Sequence, residues 1–164
     1  MYQVSVNQVF GETNIEMHNL VFDSRKIEQN DVFFAQKGYS VDGHLFIDNA
    51  IELGAIAIIC EDLPQEIKTG ITYLQVADVN EALAIMAANF YGNPSTKMVL
   101  VGVTGTNGKT TIASLLYQLF KKAGYSVGLL STVKILVDDQ EYKATHTTPD
   151  ALTINSYLNK MMIA

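Results

Sequence analysis

Val103–Thr111, VTGTNGKTT, puts two glycines, a lysine and paired threonines into nine residues, just after the apolar run Met98–Val101. Glycines let a chain fold tightly and come close to a ligand, so that successive amides point into one concavity. A helix starting at Lys109 would add its free first-turn amides and its dipole. A phosphate needs this combination of donors and positive charge. Lys109 would then reach the β- and γ-phosphates of a nucleotide, and the Thr110 hydroxyl would ligate magnesium. Gly105, Thr106, Asn107, Gly108 and Thr111 complete the cradle. The other reading is a glycine-rich surface turn between a strand and a helix. The general P-loop pattern asks for a glycine five positions before Gly108, where this chain has Val103. The match is therefore to the shorter TGTNGKT, and kinases or other general P-loop enzymes are the weaker comparison.

Such a loop needs a strand behind it and a helix in front. MVLVGV (Met98–Val103) predicts the strand. Ile112, Leu115, Leu116, Leu119 and Phe120 predict a core-facing helical stripe ending near Ala123. Upstream, YQVSV, NLVF and DVFFAQ read as short extended pieces within residues 1–35. Phe46, Ile47, Ala50, Ile51 and Leu53 give a helix ending at Gly54. AIAIIC reads as a buried parallel strand and ITYLQVAD as another. Asn80 is placed to cap the helix EALAIMAANFYG, which stops at Gly92 before Pro94. GNPSTK (Gly92–Lys97) reads as a linker, dividing the chain into 1–94 and 95–164. Downstream come a strand SVGLLS and a hairpin, VKILV and EYKATH, around Asp138–Gln140. A last helix follows, with Thr148 as N-cap, Pro149 first in the helix and Asp150 at its positive end. Strands alternating with helices predict an α/β fold with mostly parallel sheets.

The 164 residues are 48% hydrophobic and 17% charged, enough for a substantial core. A net charge of −6 argues against general nucleic-acid or membrane-surface binding, since both partners are anionic. The single cysteine, Cys60, allows no disulfide within the chain and reads as a buried strand residue. There is no signal-peptide pattern at the start and no apolar run near the roughly 20 residues of a membrane helix. A soluble, cytoplasmic protein is expected. His18 and His44 lack metal-ligand spacing and read as structural or surface residues. The Met161–Met162 pair reads as core.

TGTNGKTT resembles the phosphate loop of the Mur ligase family, the ATP-dependent amide-forming ligases of bacterial cell-wall precursor synthesis. Folylpolyglutamate and cyanophycin synthetases are similar in the loop alone. Two further stretches separate them. Asp23–Ile59, DSRKIEQNDVFFAQKGYSVDGHLFIDNAIELGAIAII, resembles the uridine-nucleotide-binding domain of Mur ligases. His146–Leu152, HTTPDAL, resembles the substrate-contacting segment of the member that adds the third amino acid of the stem peptide. The resemblance covers about residues 20–162. It implies a uridine-substrate domain followed by the first part of a P-loop α/β ATPase domain.

By this resemblance, Ser24 corresponds to the serine that contacts the UDP-sugar, and Phe22 to an apolar residue lining the uracil pocket. Gly105–Thr111 correspond to the ATP loop, with Lys109 catalytic and Thr110 on Mg2+. Thr147 and Thr148 correspond to the paired threonines that bind UDP-N-acetylmuramoyl-dipeptide. His146 stands where the family often has asparagine. Read without the resemblance, Asp23–Arg25 is a hydrogen-bonded turn, Thr148 a helix cap and Asp42–His44 a helix start. The implied reaction activates the substrate carboxylate as an acyl phosphate, which the amine of the incoming amino acid then attacks. Diaminopimelate and lysine both remain open as that amino acid. The family's further magnesium ligand, carbamylated lysine and C-terminal domain are expected beyond Ala164, so this chain alone is expected to be inactive. Self-association through the truncated central domain, disorder after about residue 100, or rearranged packing there is expected. The other readings are a stand-alone nucleotide- or UDP-sugar-binding module and a different Mur ligase member.

Overall fold

A computed structural model describes residues 3–38, 41–143 and 149–164. The chain divides into two compact units, Met1–Met86 and Ala87–Ala164. The expected α/β class is what the elements form, and each unit is taken by itself.

The first unit is built on a five-stranded sheet in the order β1-β5-β4-β3-β2. Its strands are β1 (Val6–Phe10), β2 (Leu20–Val21), β3 (Val32–Phe34), β4 (Ala57–Cys60) and β5 (Thr72–Val76). β2 to β5 are parallel, and β1 closes the far edge antiparallel to β5. β1 therefore starts four residues later than YQVSV predicts. The continuous apolar runs of β3 and β4 are explained by burial on both faces of a parallel sheet. Phe33, Ile58, Cys60 and Tyr73 pack with Ile47 and Ala50 of α1 (Ile47–Glu52) on one face. Val32, Phe34, Ala57 and Ile59 alternate to the other face and are equally buried. Phe46 and Leu53, expected in the helix stripe, are exposed, because a 3-10 turn at Gly43–Phe46 shifts the phase before α1 begins.

α2 (Val79–Phe90) follows β5. Its cap is Asp78, not Asn80: the Asp78 carboxylate accepts from the amides of Asn80 (2.7 Å) and Glu81 (3.0 Å). The helix starts before Asn80, whose side chain accepts instead from Gln36 Nε2 at 2.8 Å. Gly92 (φ 72°) and Asn93 (φ 53°) end α2, as the sequence predicts. GNPSTK is no free linker, since Pro94 is buried and Pro94–Lys97 forms a 3-10 turn.

The second unit holds α3 (Lys109–Lys122), β6 (Gly128–Leu130), β7 (Lys134–Val137), β8 (Gln140–Lys143) and α4 (Ala151–Ile163). β6, β7 and β8 form an antiparallel sheet, not a parallel one. The hairpin turns at Asp138 and Asp139 as expected, and the Asp138 carbonyl accepts from the Tyr117 hydroxyl of α3 at 2.6 Å. Met98–Val103 forms no strand, and Val99 is 92% exposed. A strand exists only when paired, and no described strand ladders with this run. The α3 stripe is uncovered for the same reason: Ile112, Leu115, Leu119 and Phe120 are all exposed. α4 is capped by Asp150, whose carboxylate accepts from the Thr153 amide at 2.8 Å. Pro149 accordingly precedes the cap instead of opening the helix. Leu158 is buried, and half-buried Met161 lies against Gly128, where a Cβ would come within 2.6 Å of its Cγ.

Candidate functional site

The glycine loop is formed. Gly105 and Gly108 have φ values of 148° and 79°, a region that disfavours any side chain, so the loop's shape requires glycine at both positions. Gly108 is the N-cap of α3 and has no side chain to cap it. The first bond inside the helix is Ile112 N–H to the Gly108 carbonyl at 2.9 Å. The amides of Lys109, Thr110 and Thr111 are therefore the uncapped donors of the first turn. Lys109 folds back over the loop and donates from Nζ to the Gly105 carbonyl at 2.5 Å. The Thr110 hydroxyl lies 3.3 Å from the hydroxyl of Thr132. Lys109, Thr110, Ser131 and Thr132 line one cavity of about 990 Å³ with Val101, Val103 and Leu116. Lys109 and the hydroxyl residues Thr110, Ser131 and Thr132 thus share a space wide enough for a phosphate chain, with Phe120, Leu129 and Leu158 among its apolar lining. The residues fit a magnesium nucleotide, and nothing at Gly105 or Gly108 crowds the approach: the nearest atoms to an added Cβ are 3.6 and 3.8 Å away.

The uridine-side residues lie in the first unit. Phe22 is exposed and Ser24 half-buried, both just past the carboxyl end of β2. That edge of a parallel sheet is where open α/β folds receive ligands. Asp23 between them caps the 3-10 turn Ser24–Lys26 and accepts from Arg25 Nε (2.8 Å) and a terminal guanidinium nitrogen (2.9 Å). This pairing holds its carboxyl below the usual range. His146, Thr147 and Thr148 lie outside the described residues.

The same edge carries a polar cluster that sequence reasoning missed. Lys37 pairs with Asp62 (2.7 Å) and Glu61 (3.0 Å), and both carboxylates hold its ammonium above its usual value. His44 Nε2 accepts from the amides of Glu61 (3.1 Å) and Asp62 (3.2 Å), so its proton sits on Nδ1, which donates to Asp42 at 2.7 Å. The imidazole thus ties the turn Asp42–His44 to the chain leaving β4. No spacing rule announces this, because residues 42 and 61 meet only through the parallel pairing of β3 and β4. His44 is structural, as its lack of metal-ligand spacing suggested. His18 is exposed, its Nδ1 3.2 Å from the buried carboxylate of Asp31. Among the described residues no cluster of three or more acidic, histidine or cysteine side chains suits a metal ion. No described helix is long and apolar enough to cross a membrane. Burial pushes the Cys60 thiol up to about 11, as suits a structural strand residue.

Asp42 gives a pH prediction. The His44 amide and then its imidazole hold the Asp42 carboxyl below the usual carboxylate range. The unfolded chain therefore binds more protons near pH 4, and the stability Asp42 adds is complete above that pH and lost as pH falls through the folded value. Urea midpoints at pH 5 and pH 3 are expected to differ less in Asp42→Asn than in the parent chain. Equal differences would remove Asp42 from the acid response.

Comparison with known proteins adds to this geometry. Residues 16–91 match the model of the Mur ligase family, catalytic domain, and residues 103–163 match that of the Mur ligase middle domain. Two curated relatives are UDP-N-acetylmuramoyl-L-alanyl-D-glutamate–2,6-diaminopimelate ligases. That of Cytophaga hutchinsonii is 50% identical over 165 residues, covering 100% of this chain and 34% of the relative. That of Bacteroides fragilis is 51% identical over 154 residues, covering 94% of this chain and 32% of the relative. The chain thus spans about a third of the length of these relatives. Among solved structures, a MurF ligase from Thermotoga maritima in complex with ADP is 35% identical with a TM-score of 0.52, covering 65% of this chain and 24% of that one. A UDP-N-acetylmuramoyl-L-alanyl-D-glutamate–2,6-diaminopimelate ligase structure has a TM-score of 0.68 at 24% identity, covering 93% of this chain and 32% of that one, and bears on the fold alone.

Proposed function

We propose, from the premise that this chain belongs to the Mur ligase family, that it supplies the uridine-substrate and nucleotide-binding parts of a cell-wall precursor ligase. The reaction is ATP-dependent addition of the third residue to UDP-N-acetylmuramoyl-L-Ala-D-Glu in peptidoglycan precursor synthesis. The relatives' names favour 2,6-diaminopimelate over lysine as the amino acid added. Residues 1–94 hold the uridine substrate, with Phe22 and Ser24 at the carboxyl edge of the sheet. Residues 95–164 hold the nucleotide. A cytoplasmic location belongs to the same reading.

The observation that carries it is the formed glycine loop, which opens α3 with uncapped first-turn amides and sets Lys109 and Thr110 beside one cavity. ATP, when bound with magnesium, supplies the phosphoryl group that activates the substrate carboxylate. The chain's own part is positioning and charge neutralisation. The loop amides and Lys109 hold the phosphate oxygens, and Thr110 presents its hydroxyl to the metal. Thr147 and Thr148, with His146 before them in the sequence, bind the UDP-N-acetylmuramoyl-dipeptide.

Calorimetric titration of UDP-N-acetylmuramoyl-dipeptide into the chain tests the reading. Binding is expected, with unchanged affinity in Lys109→Ala, because Phe22 and Ser24 belong to the other unit. A folded chain that binds neither this ligand nor magnesium-ATP would sink the proposal.

A further inference from the structure

We propose that Thr132 is a positioning residue for the metal-binding hydroxyl of Thr110, an inference that rests on the nucleotide-site reading above. A hydroxyl that ligates a cation turns a lone pair toward it and must send its own proton elsewhere. Thr132 Oγ1, 3.3 Å from Thr110 Oγ1, is the acceptor for that proton. The contact is longer than a tight hydroxyl bond, as is common before a ligand draws such groups together.

Thr132 is held in place independently of Thr110. It sits in the tight turn between β6 and β7. There Ser131 Oγ donates to the Lys134 carbonyl at 2.7 Å and accepts from the Lys134 amide at 3.2 Å. The Ser131 amide closes the same turn onto the Lys134 carbonyl at 3.1 Å. Ile135, Leu136 and Val137 then bury β7. A fixed turn therefore presents one hydroxyl to the mouth of the glycine loop, lining the same cavity as Lys109. Its side chain is exposed and, among the described residues, meets the Thr110 hydroxyl, so a purely structural role gives it little to do.

The test is the magnesium dependence of nucleotide affinity in the full chain, read with a fluorescent ADP analogue with and without magnesium. Thr132→Val is expected to lose about three- to tenfold of the magnesium enhancement, the weight of one hydrogen bond, with magnesium-free affinity unchanged. Thr132→Ser is expected to restore it. Full enhancement in Thr132→Val alongside its loss in Thr110→Val overturns the assignment to Thr132 while leaving the nucleotide site intact. Absence of any nucleotide binding in the parent chain overturns both. Thr132→Ala, read the same way, replaces the valine variant if that one fails to fold.

Discussion

Lys109→Ala is expected to lower the affinity for magnesium nucleotide by about ten- to hundredfold. Lys109 is the cation seated on the loop, and it is parked on the Gly105 carbonyl at 2.5 Å. A phosphate entering the loop takes that ammonium from a neutral carbonyl to charged oxygens. Hydrogen bonds to charged groups are worth about 1.5–3 kcal/mol, and 1.4 kcal/mol is tenfold in affinity. Arginine is not expected to rescue the loss, because its planar fork is wider than the point charge this loop folds around. The fold is not at stake, since Lys109 is exposed and its hydrogen bond is to Gly105 within its own loop. Titration with a fluorescent nucleotide, alongside far-ultraviolet circular dichroism, is the measurement. Unchanged affinity in a folded variant would reduce the loop to a surface turn.

The loop was legible because its chemistry is local. Gly105, Gly108 and Lys109 lie within five residues, and what they do depends on backbone angles that glycine alone permits. The sheet of the first unit was legible for a similar reason: the apolar runs around Phe33 and Ile58 admit few alternatives to a parallel strand buried on both faces. What was not legible depended on partners. Met98–Val103 has a strand's composition but no ladder to join, and the α3 stripe has helical periodicity but no described surface to cover. Two helix starts were misplaced by two residues, with caps expected at Asn80 and Thr148, because Asp78 and Asp150 took the cap. The Lys37–Glu61–Asp62–His44 cluster and the Thr110–Thr132 contact join residues 17 to 25 positions apart. Only the folded topology brings such pairs together.

Gly43→Ala is expected to be a strongly damaging single-methyl change in the first unit. Gly43 opens the 3-10 turn after Asp42, and its amide donates to the Gln36 carbonyl at 2.8 Å. A Cβ there would lie 2.6 Å from the Gln36 carbonyl oxygen, 2.8 Å from the Gln36 nitrogen and 3.0 Å from the Ala35 carbonyl carbon. All three are backbone atoms, so no side chain can swing aside. The segment they belong to is fixed in turn, since Ala35 is fully buried and its amide bonds the Ile59 carbonyl at 2.9 Å. Relief must therefore come from moving the turn, which strains the Gly43–Gln36 bond and the His44 bridge to Glu61 and Asp62. Overpacking of this kind costs about 1–3 kcal/mol, and a lost hydrogen bond about 1 more. Gly102→Ala is the matched control: nothing lies within 4 Å of its Cβ, and a change of less than about 0.5 kcal/mol is expected. Urea midpoints for the two variants, with hydrogen exchange at the β3 and β4 amides, separate them. Exchange should quicken in β3 and β4 of Gly43→Ala only, and equal protection in both variants would mean that the turn at Asp42–His44 yields without disturbing the sheet edge on which Phe22 and Ser24 stand.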